Sequence, residues 1–192
     1  VAGKKYTSKV SVVNHSLYLI FKNGKWGFIN KTGKEVVTPE YEDVSSFSEG
    51  LAGVKLDGKW GFINKTGKVV VTPKYDKVYN FSEGLAVVKL DDKWGFINKT
   101  GKEVVKPKYD YVRSFSEGLA EVRLDGKSGF INKTGKEVVT PKYDQAYNFS
   151  EGLAWVRLDG KSGFINKTGK VVVKPEYEDV SSFSEGLAGV KL

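Results

Sequence analysis

Short runs of hydrophobic residues alternate with turn-forming residues along the whole chain. Within residues 51–56, Ala52, Val54 and Leu56 share one face of an extended strand, and the residues between them share the other. This alternation predicts a strand that is buried on one side and exposed to solvent on the other. No stretch has helical periodicity, so the pattern predicts an all-β fold.

The segments between the hydrophobic runs carry the residues that tight hairpins need. Asp-Gly at residues 57–58 and Asn-Lys-Thr-Gly at residues 64–67 supply glycine where the backbone requires a positive φ. A proline follows the third run, where a residue without an N–H ends pairing or lies in an edge strand. A weaker fourth strand or loop then leads to the next copy. Each copy is therefore predicted to be an antiparallel β-meander.

The pattern repeats with a period of 34 residues, as the positions of Trp26, Trp60 and Trp94 illustrate. Five units are predicted, at residues 17–50, 51–84, 85–118, 119–152 and 153–186. Residues 1–16 are interpreted as a degenerate partial unit and residues 187–192 as the start of a sixth.

Two architectures follow from five meanders in tandem. In an open superhelical array, each unit packs on the next and the partial units lie at the ends. The alternative is a closed five-bladed β-propeller. Residues 41–56 recur letter for letter at residues 177–192, and a closed ring has no obvious place for both partial units. The open array is therefore favoured.

The repeated residues resemble a known family. Lys-Trp-Gly-Phe-Ile-Asn-Lys-Thr-Gly-Lys, followed by Pro-x-Tyr-Asp-x-Val-x-x-Phe-Ser-Glu-Gly-Leu-Ala, is similar to the WG, or KWG, repeat of bacterial proteins. The resemblance implies a non-enzymatic repeat module, on the cell surface or secreted rather than cytoplasmic. Ser128 and Ser162 replace the signature Trp in the last two full units.

Composition removes most kinds of active site. The chain has no cysteine and one histidine, His15, which excludes disulfides, thiolate nucleophiles and multi-histidine metal sites. The glutamate that recurs at Glu49 and at every following unit has no distinct partner, so it is assigned to structure rather than catalysis. We expect no enzyme activity, no cofactor and no metal site.

The charge balance bears on partners. Lys and Arg number 31 against 23 Asp and Glu, a net charge of +8, which favours acidic partners such as anionic glycans. The basic residues are spread evenly, so no specific nucleic-acid binding is expected. No apolar run reaches the roughly 18 residues of a membrane span.

Positions that change between copies are the candidates for function. Three series vary strongly: Asp43, Lys77, Tyr111, Gln145 and Asp179; Ser45, Tyr79, Arg113, Tyr147 and Ser181; Leu19, Gly53, Val87, Glu121, Trp155 and Gly189. Such changes would be costly in a packed core, so all three series are predicted to lie on the surface. The Trp that becomes Ser is predicted to be at least partly exposed for the same reason.

Aromatic and arginine side chains on such a surface are typical of binding sites. The predicted ligand-binding or partner-binding residues are Trp26, Trp60, Trp94, Tyr79, Tyr111, Arg113, Tyr147 and Trp155. The partner would be a protein or a glycan. Two alternatives remain open: a structural subunit that self-associates head to tail through its terminal strands, and an engineered consensus array without a native ligand.

Overall fold

The computed structural model describes residues 12–13, 17–180 and 189–191, and all of its regular structure is antiparallel β. Five four-stranded sheets follow one another along the chain, each a meander in which neighbouring strands pair in sequence order. The all-β tandem meander is therefore confirmed. His15, Ser181, most of residues 1–16 and half of residues 187–192 lie outside the described residues.

The first two sheets have the following strands. Sheet 1 contains β1 (Val12–Val13), β2 (Leu17–Lys22), β3 (Lys25–Asn30) and β4 (Glu35–Tyr41). Sheet 2 contains β5 (Asp43–Val44), β6 (Leu51–Leu56), β7 (Lys59–Asn64) and β8 (Val69–Tyr75).

The remaining sheets repeat this arrangement. Sheet 3 contains β9 (Lys77–Val78), β10 (Leu85–Leu90), β11 (Lys93–Asn98) and β12 (Glu103–Tyr109). Sheet 4 contains β13 (Tyr111–Val112), β14 (Leu119–Leu124), β15 (Lys127–Asn132) and β16 (Glu137–Tyr143). Sheet 5 contains β17 (Gln145–Ala146), β18 (Leu153–Leu158), β19 (Lys161–Asn166) and β20 (Val171–Tyr177). A two-stranded half sheet follows, formed by β21 (Asp179–Val180) and β22 (Val190–Lys191).

The sheets are offset from the sequence units. The short first strand of each sheet from sheet 2 onward comes from residues assigned to the preceding unit; β5, for example, lies in unit 17–50 but pairs with β6. The sequence boundaries between units stay a prediction. In the structure, each of these boundaries falls between the first and second strands of a sheet and not between two sheets.

The hydrophobic core lies between consecutive sheets. Between sheets 2 and 3, Phe62 and Tyr75 pack with Val88 and Ile97, and each is at most 1% exposed. Three equivalent clusters join sheets 1 and 2, 3 and 4, and 4 and 5. Among the described residues, no buried cluster joins sheet 5 to sheet 1. Instead, β21 contacts β19 of sheet 5, in the place of a next sheet. The open array is therefore confirmed over the closed ring.

This stacking corrects the predicted one-sided burial of the strands. Residues Leu51 to Val54 of β6 are all buried, because each internal sheet is covered by a neighbour on both faces. The methyl group of Ala52 and the lack of a side chain at Gly53 suit this close approach, whereas an isolated amphipathic strand would carry polar residues on its second face.

The Gly of the Trp-Gly pair is required by the neighbouring outer strand. A Cβ on Gly61 would lie 2.3 Å from the carbonyl oxygen of Val71 and 2.6 Å from the nitrogen of Pro73. The pairing of β7 with β8 shifts register beside this glycine, and Pro73 lies in the irregular segment of β8, the edge strand of the sheet. Glycine therefore persists at positions 129 and 163, where the Trp does not.

The constant Ser-Glu-Gly loops link one sheet to the next. The Ser48 hydroxyl donates to the Phe81 carbonyl (2.7 Å), and Glu49 accepts from the Gly84 N–H (3.1 Å) and pairs with Lys99 (2.9 Å). The hydrogen bond from Lys99 is the largest of the contacts that lower the pKa of Glu49. The recurring glutamate thus has a structural role.

Candidate functional site

The first two variable series lie at the surface. Asp43, Lys77, Tyr111, Gln145 and Asp179 are all exposed, as predicted. In the second series, Tyr79 and Tyr147 are 46% and 54% exposed, and Ser45 and Arg113 are half-buried. These residues belong to or directly follow the short first strand of each sheet.

The third series is not a surface series, and that prediction was wrong. Gly53 is buried, Val87 is 4% exposed and Glu121 is 1% exposed, while Leu19 and Trp155 are half-buried. Gly189 is exposed. The internal positions face the next sheet, beside the position that is Trp or Ser. The large differences are tolerated because a second residue changes with them.

A large side chain at one of these two positions accompanies a small one at the other. A Cβ on Gly53 would lie 3.5 Å from the ring of Trp60, so the indole already fills the space above the glycine. In sheets 4 and 5 the Trp is replaced by the buried Ser128 and Ser162, and the large side chains are Glu121 and Trp155 instead. Trp26, Trp60 and Trp94 are half-buried, which confirms that they are partly exposed.

A groove lies across sheets 3 and 4 and reaches the start of sheet 5. The aromatic groove is lined by Tyr79, Val87, Trp94, Tyr111, Val112, Arg113, Ser114 and Asn148, and has a volume of about 330 Å³. The rings of Tyr79 and Trp94 are 5.7 Å apart with their planes 31° from parallel. These two tilted rings form an aromatic platform that lines the groove.

Arg113, which also lines the groove, lies between a second pair of aromatic rings. Its guanidinium carbon lies 5.6 Å from the ring centroid of Tyr111 and 5.0 Å from that of Tyr147. The ring of Tyr147 lies 5.0 Å from that of Trp155. Arginine between two aromatic rings gains cation–π attraction from both.

A buried carboxylate fixes Arg113. Its Nε donates to Glu121 Oε2 at 2.6 Å, and the Ser128 hydroxyl donates to Glu121 Oε1 at 2.9 Å. Burial lowers the pKa of the Arg113 guanidinium, but the hydrogen bond and charge of Glu121 outweigh it and raise the pKa above its usual value. The side chain of Arg113 keeps 37% of its surface exposed.

Six of the eight predicted binding residues therefore lie in one connected strip, namely Tyr79, Trp94, Tyr111, Arg113, Tyr147 and Trp155. The other two are elsewhere. Trp26 packs on Phe21 in sheet 1, with ring centroids 4.8 Å apart, and Trp60 packs on the core cluster between sheets 2 and 3.

Sequence reasoning missed the cations and the amide beside the strip. Lys77 lies 5.3 Å from the ring of Tyr79, Lys89 lies 5.8 Å from Trp94, and Arg123 lies 6.0 Å from Tyr111. Asn148 lines the groove. The signal for Lys77 was present, since it belongs to the first variable series. Arg123 could be found only from its register opposite Tyr111.

Two other features are absent from the described part of the chain. Within it, no three His, Asp or Glu side chains come together as a metal site would require. Nor do these residues include a helix long and apolar enough to cross a membrane.

Comparisons with solved structures give distant likenesses. Kluyveromyces lactis Hsv2 is 12% identical with a TM-score of 0.47, over 82% of this chain and 58% of that one. A eukaryotic initiation factor is 12% identical with a TM-score of 0.48, over 88% of this chain and 55% of that one. PorZ, a surface component of the type-IX secretion system of Porphyromonas gingivalis, is 13% identical with a TM-score of 0.43, over 93% of this chain and 32% of that one.

This chain spans less than two thirds of each of these three proteins, and likenesses at this level carry no functional argument. No curated protein matches the sequence. The family of the WG containing repeat, in contrast, matches in five consecutive copies, at residues 26–60, 60–94, 94–127, 129–161 and 163–192. These matches cover nearly all of the stacked sheets, and the chain belongs to the WG-repeat family of β-repeat proteins.

Proposed function

We propose that this chain is a non-enzymatic repeat scaffold whose aromatic groove binds a glycan or a partner protein. The observation that carries the proposal is the connected strip of Tyr79, Trp94, Tyr111, Arg113 and Tyr147, which is held by stacked sheets and open to solvent. Aromatic and arginine side chains dominate the binding energy of interfaces.

The rigidity of the strip supports this role. Arg113 is held by a buried carboxylate and two rings, and Trp94 is packed on the core between sheets 3 and 4. Side chains that are already ordered lose little entropy when a ligand binds. The groove is therefore preorganised on a scaffold in which the remaining, constant residues build the stack.

The proposal of a binding rather than a catalytic role rests on how the recurring acids are used. Glu49 pairs with Lys99, Glu83 with Lys133 and Glu117 with Lys167, each from one sheet to another. Glu121 pairs with Arg113. These contacts assign the carboxylates to structure, which favours a scaffold over an acid–base site.

The test is a glycan array followed by titration calorimetry with the strongest glycan. We expect Tyr111→Ala and Tyr147→Ala to weaken binding by about tenfold or more, since both rings flank Arg113. Phe21→Ala is the matched control, because Phe21 is 55% exposed but lies in sheet 1, away from the groove. Binding that survives both tyrosine changes, or that Phe21→Ala abolishes, would contradict the proposal.

A second candidate function is self-association through the open end of the stack. Tyr18, Ile20 and Ile29 of sheet 1 are half-buried, whereas Ile63 and Ile97, which correspond to Ile29, are 0% exposed. A second copy could cover this face as sheet 1 covers sheet 2. The half sheet of β21 and β22 would supply the opposite end.

Sedimentation velocity across a concentration series tests this candidate. Self-association predicts species that grow with concentration, and Ile29→Lys should prevent the growth by placing a charge on the face. The matched control is Lys25→Glu, which changes a charge near the hairpin turn of the same sheet without altering the apolar face. A monomer at every concentration would refute this candidate.

A further inference from the structure

Positive charge is concentrated at the aromatic groove. Lys77 and Lys89 are directly opposite each other in the pairing of β9 with β10, and each lies within cation–π distance of a groove ring. Arg123 is directly opposite Tyr111 in the pairing of β13 with β14. Three cations therefore lie beside groove rings, in addition to Arg113.

The nearby acids neutralise only part of this charge. Glu121 pairs with Arg113. Asp92 pairs with Lys89 at 2.7 Å, and the Asp92 side chain is 94% exposed. Lys77 and Arg123 have no carboxylate partner among the residues that the structure describes. The Nε of Arg123 is buried and, within the same residues, donates to no acceptor. Unpaired cations beside a groove favour an anionic ligand.

The corresponding positions in sheet 2 lack this excess. Asp43 is directly opposite Lys55 there, so the pair that matches Lys77 and Lys89 is neutral. In sheet 5, Gln145 is opposite Arg157, whose Nε donates to the Gly160 carbonyl at 3.1 Å. The doubly positive pair of Lys77 and Lys89 thus lies in sheet 3, at the groove, and in sheet 4 the unpaired Nε belongs to Arg123.

The volume and lining of the groove favour a sugar over a peptide as its ligand. Its volume of about 330 Å³ is at the small end of the roughly 300–1,000 Å³ of ligand pockets, and aromatic rings with Ser114 and Asn148 form much of its lining. The platform of Tyr79 and Trp94 suits the apolar face of a sugar ring, while the serine and the amide suit hydroxyl groups. A peptide would need a deeper apolar pocket for an anchoring side chain.

We infer that the aromatic groove binds an oligosaccharide that carries carboxylate groups. This inference rests on the proposed function of the same groove and adds the chemical class of its ligand. Lys77 and Arg123 meet the carboxylates, Tyr79 and Trp94 stack on the sugar rings, and Arg113 donates from the part of its guanidinium that Glu121 leaves open.

The experiment compares three probes by titration calorimetry: tetragalacturonate, the neutral tetrasaccharide cellotetraose, and a tetraglutamate peptide. We expect tetragalacturonate to bind, cellotetraose to bind at least about tenfold more weakly, and the peptide to bind more weakly than tetragalacturonate. The affinity for tetragalacturonate should fall as salt is raised, because the charges at the groove are partly exposed.

Two variants test the residues that we expect to select an anionic oligosaccharide over a neutral one. Lys77→Gln and Arg123→Gln should each weaken tetragalacturonate binding about tenfold and leave cellotetraose binding unchanged. Lys55→Gln is the matched control, since Lys55 holds the position of Arg123 in a sheet whose cross-strand pair is neutral. Unchanged thermal unfolding would show that each variant is folded.

The outcomes separate this inference from the proposed function. Equal binding of both saccharides, insensitive to Arg123→Gln but weakened by Tyr111→Ala, would overturn the anionic class and leave a binding groove in place. Preferred binding of the peptide would overturn the saccharide. Absence of tetragalacturonate binding would overturn the inference, and the glycan array with the tyrosine variants then decides the proposed function separately.

Discussion

Removing Arg113 should destabilise the protein far more than removing an ordinary surface cation. The Arg113→Ala change leaves Glu121, which is 1% exposed, with only the Ser128 hydroxyl as a partner. Breaking one side of a buried ion pair costs about 3–5 kcal/mol. Because Arg113 itself is 37% exposed, we expect the lower end, about 3 kcal/mol of lost unfolding free energy.

The structure supplies both a control and a rescue. Lys127→Ala breaks an exposed pair with Asp144 in the same region, and we expect a much smaller loss because solvent screens this pair. The double change Arg113→Tyr with Glu121→Trp reproduces the set that sheet 5 carries at Tyr147 and Trp155 above a buried serine. It should recover part of the lost stability, because it removes the unpaired buried carboxylate. Recovery should be incomplete, because in the set that it copies the Trp155 Nε1 and the Ser162 hydroxyl are buried and have no hydrogen-bond partner among the described residues.

The assay is urea unfolding followed by tryptophan fluorescence, with the midpoint and the slope m compared between variants, since a change in m would signal loss of cooperativity along the stack. The reasoning would be refuted if Arg113→Ala cost no more than Lys127→Ala. It would also be refuted if the double variant were less stable than Arg113→Ala.

Three further predictions concern the scaffold. Gly61→Ala should lower the thermal unfolding temperature strongly, because its Cβ would meet the backbone carbonyl of Val71 at 2.3 Å. Gly53→Ala should lower it much less in the same melt, because its nearest contact is the Ser45 side chain at 3.1 Å, which can shift by a few tenths of an ångström. Asn64→Ala should cost about 1–3 kcal/mol in urea unfolding, because its side-chain oxygen accepts three hydrogen bonds in the turn, and a smaller loss than at an exposed lysine would contradict this. Burial, with Glu40 adding to it, raises the pKa of Tyr41 from 10.0 to about 12, so the stability that this neutral phenol contributes is complete below pH 10 and is lost as pH rises through about 12. Phenolate absorbance and circular dichroism should therefore change together in alkali, and ionisation of all tyrosines at their ordinary pKa in the folded protein would refute this.

Much of the fold was readable from the sequence, because the same local rules recur in every copy. Asp57 and Gly58 adopt positive φ in the predicted hairpin turn, and Asn64 forms the predicted turn with Thr66. The open array followed from counting partial units. The burial of both strand faces did not follow, because Gly53 contributes no side chain by which a second buried face could be recognised.

The candidate site was predicted in part. Exposed tyrosines at variable positions followed from variation alone, but Glu121 was expected at the surface since a lone buried carboxylate is costly. Its partners, Arg113 and Ser128, lie 8 and 7 residues away in sequence and meet it only through strand pairing. The complementary change in side-chain size was nevertheless present in the sequence: Gly53 accompanies the large Trp60, whereas Glu121 accompanies the small Ser128.

The offset between sequence units and sheets determines how this stack can be cut and recombined. A cassette excised at a unit boundary, between residues 84 and 85, would separate Val78 from its strand partner Val88 and leave one fragment with an orphaned strand. A cassette excised after Tyr75 would keep β5 to β8 together as one complete sheet. Circular permutation or shuffling of copies should therefore succeed at the junction between β8 and β9. Because each sequence unit contributes strands to two consecutive sheets, the covalent chain links neighbouring layers of the stack.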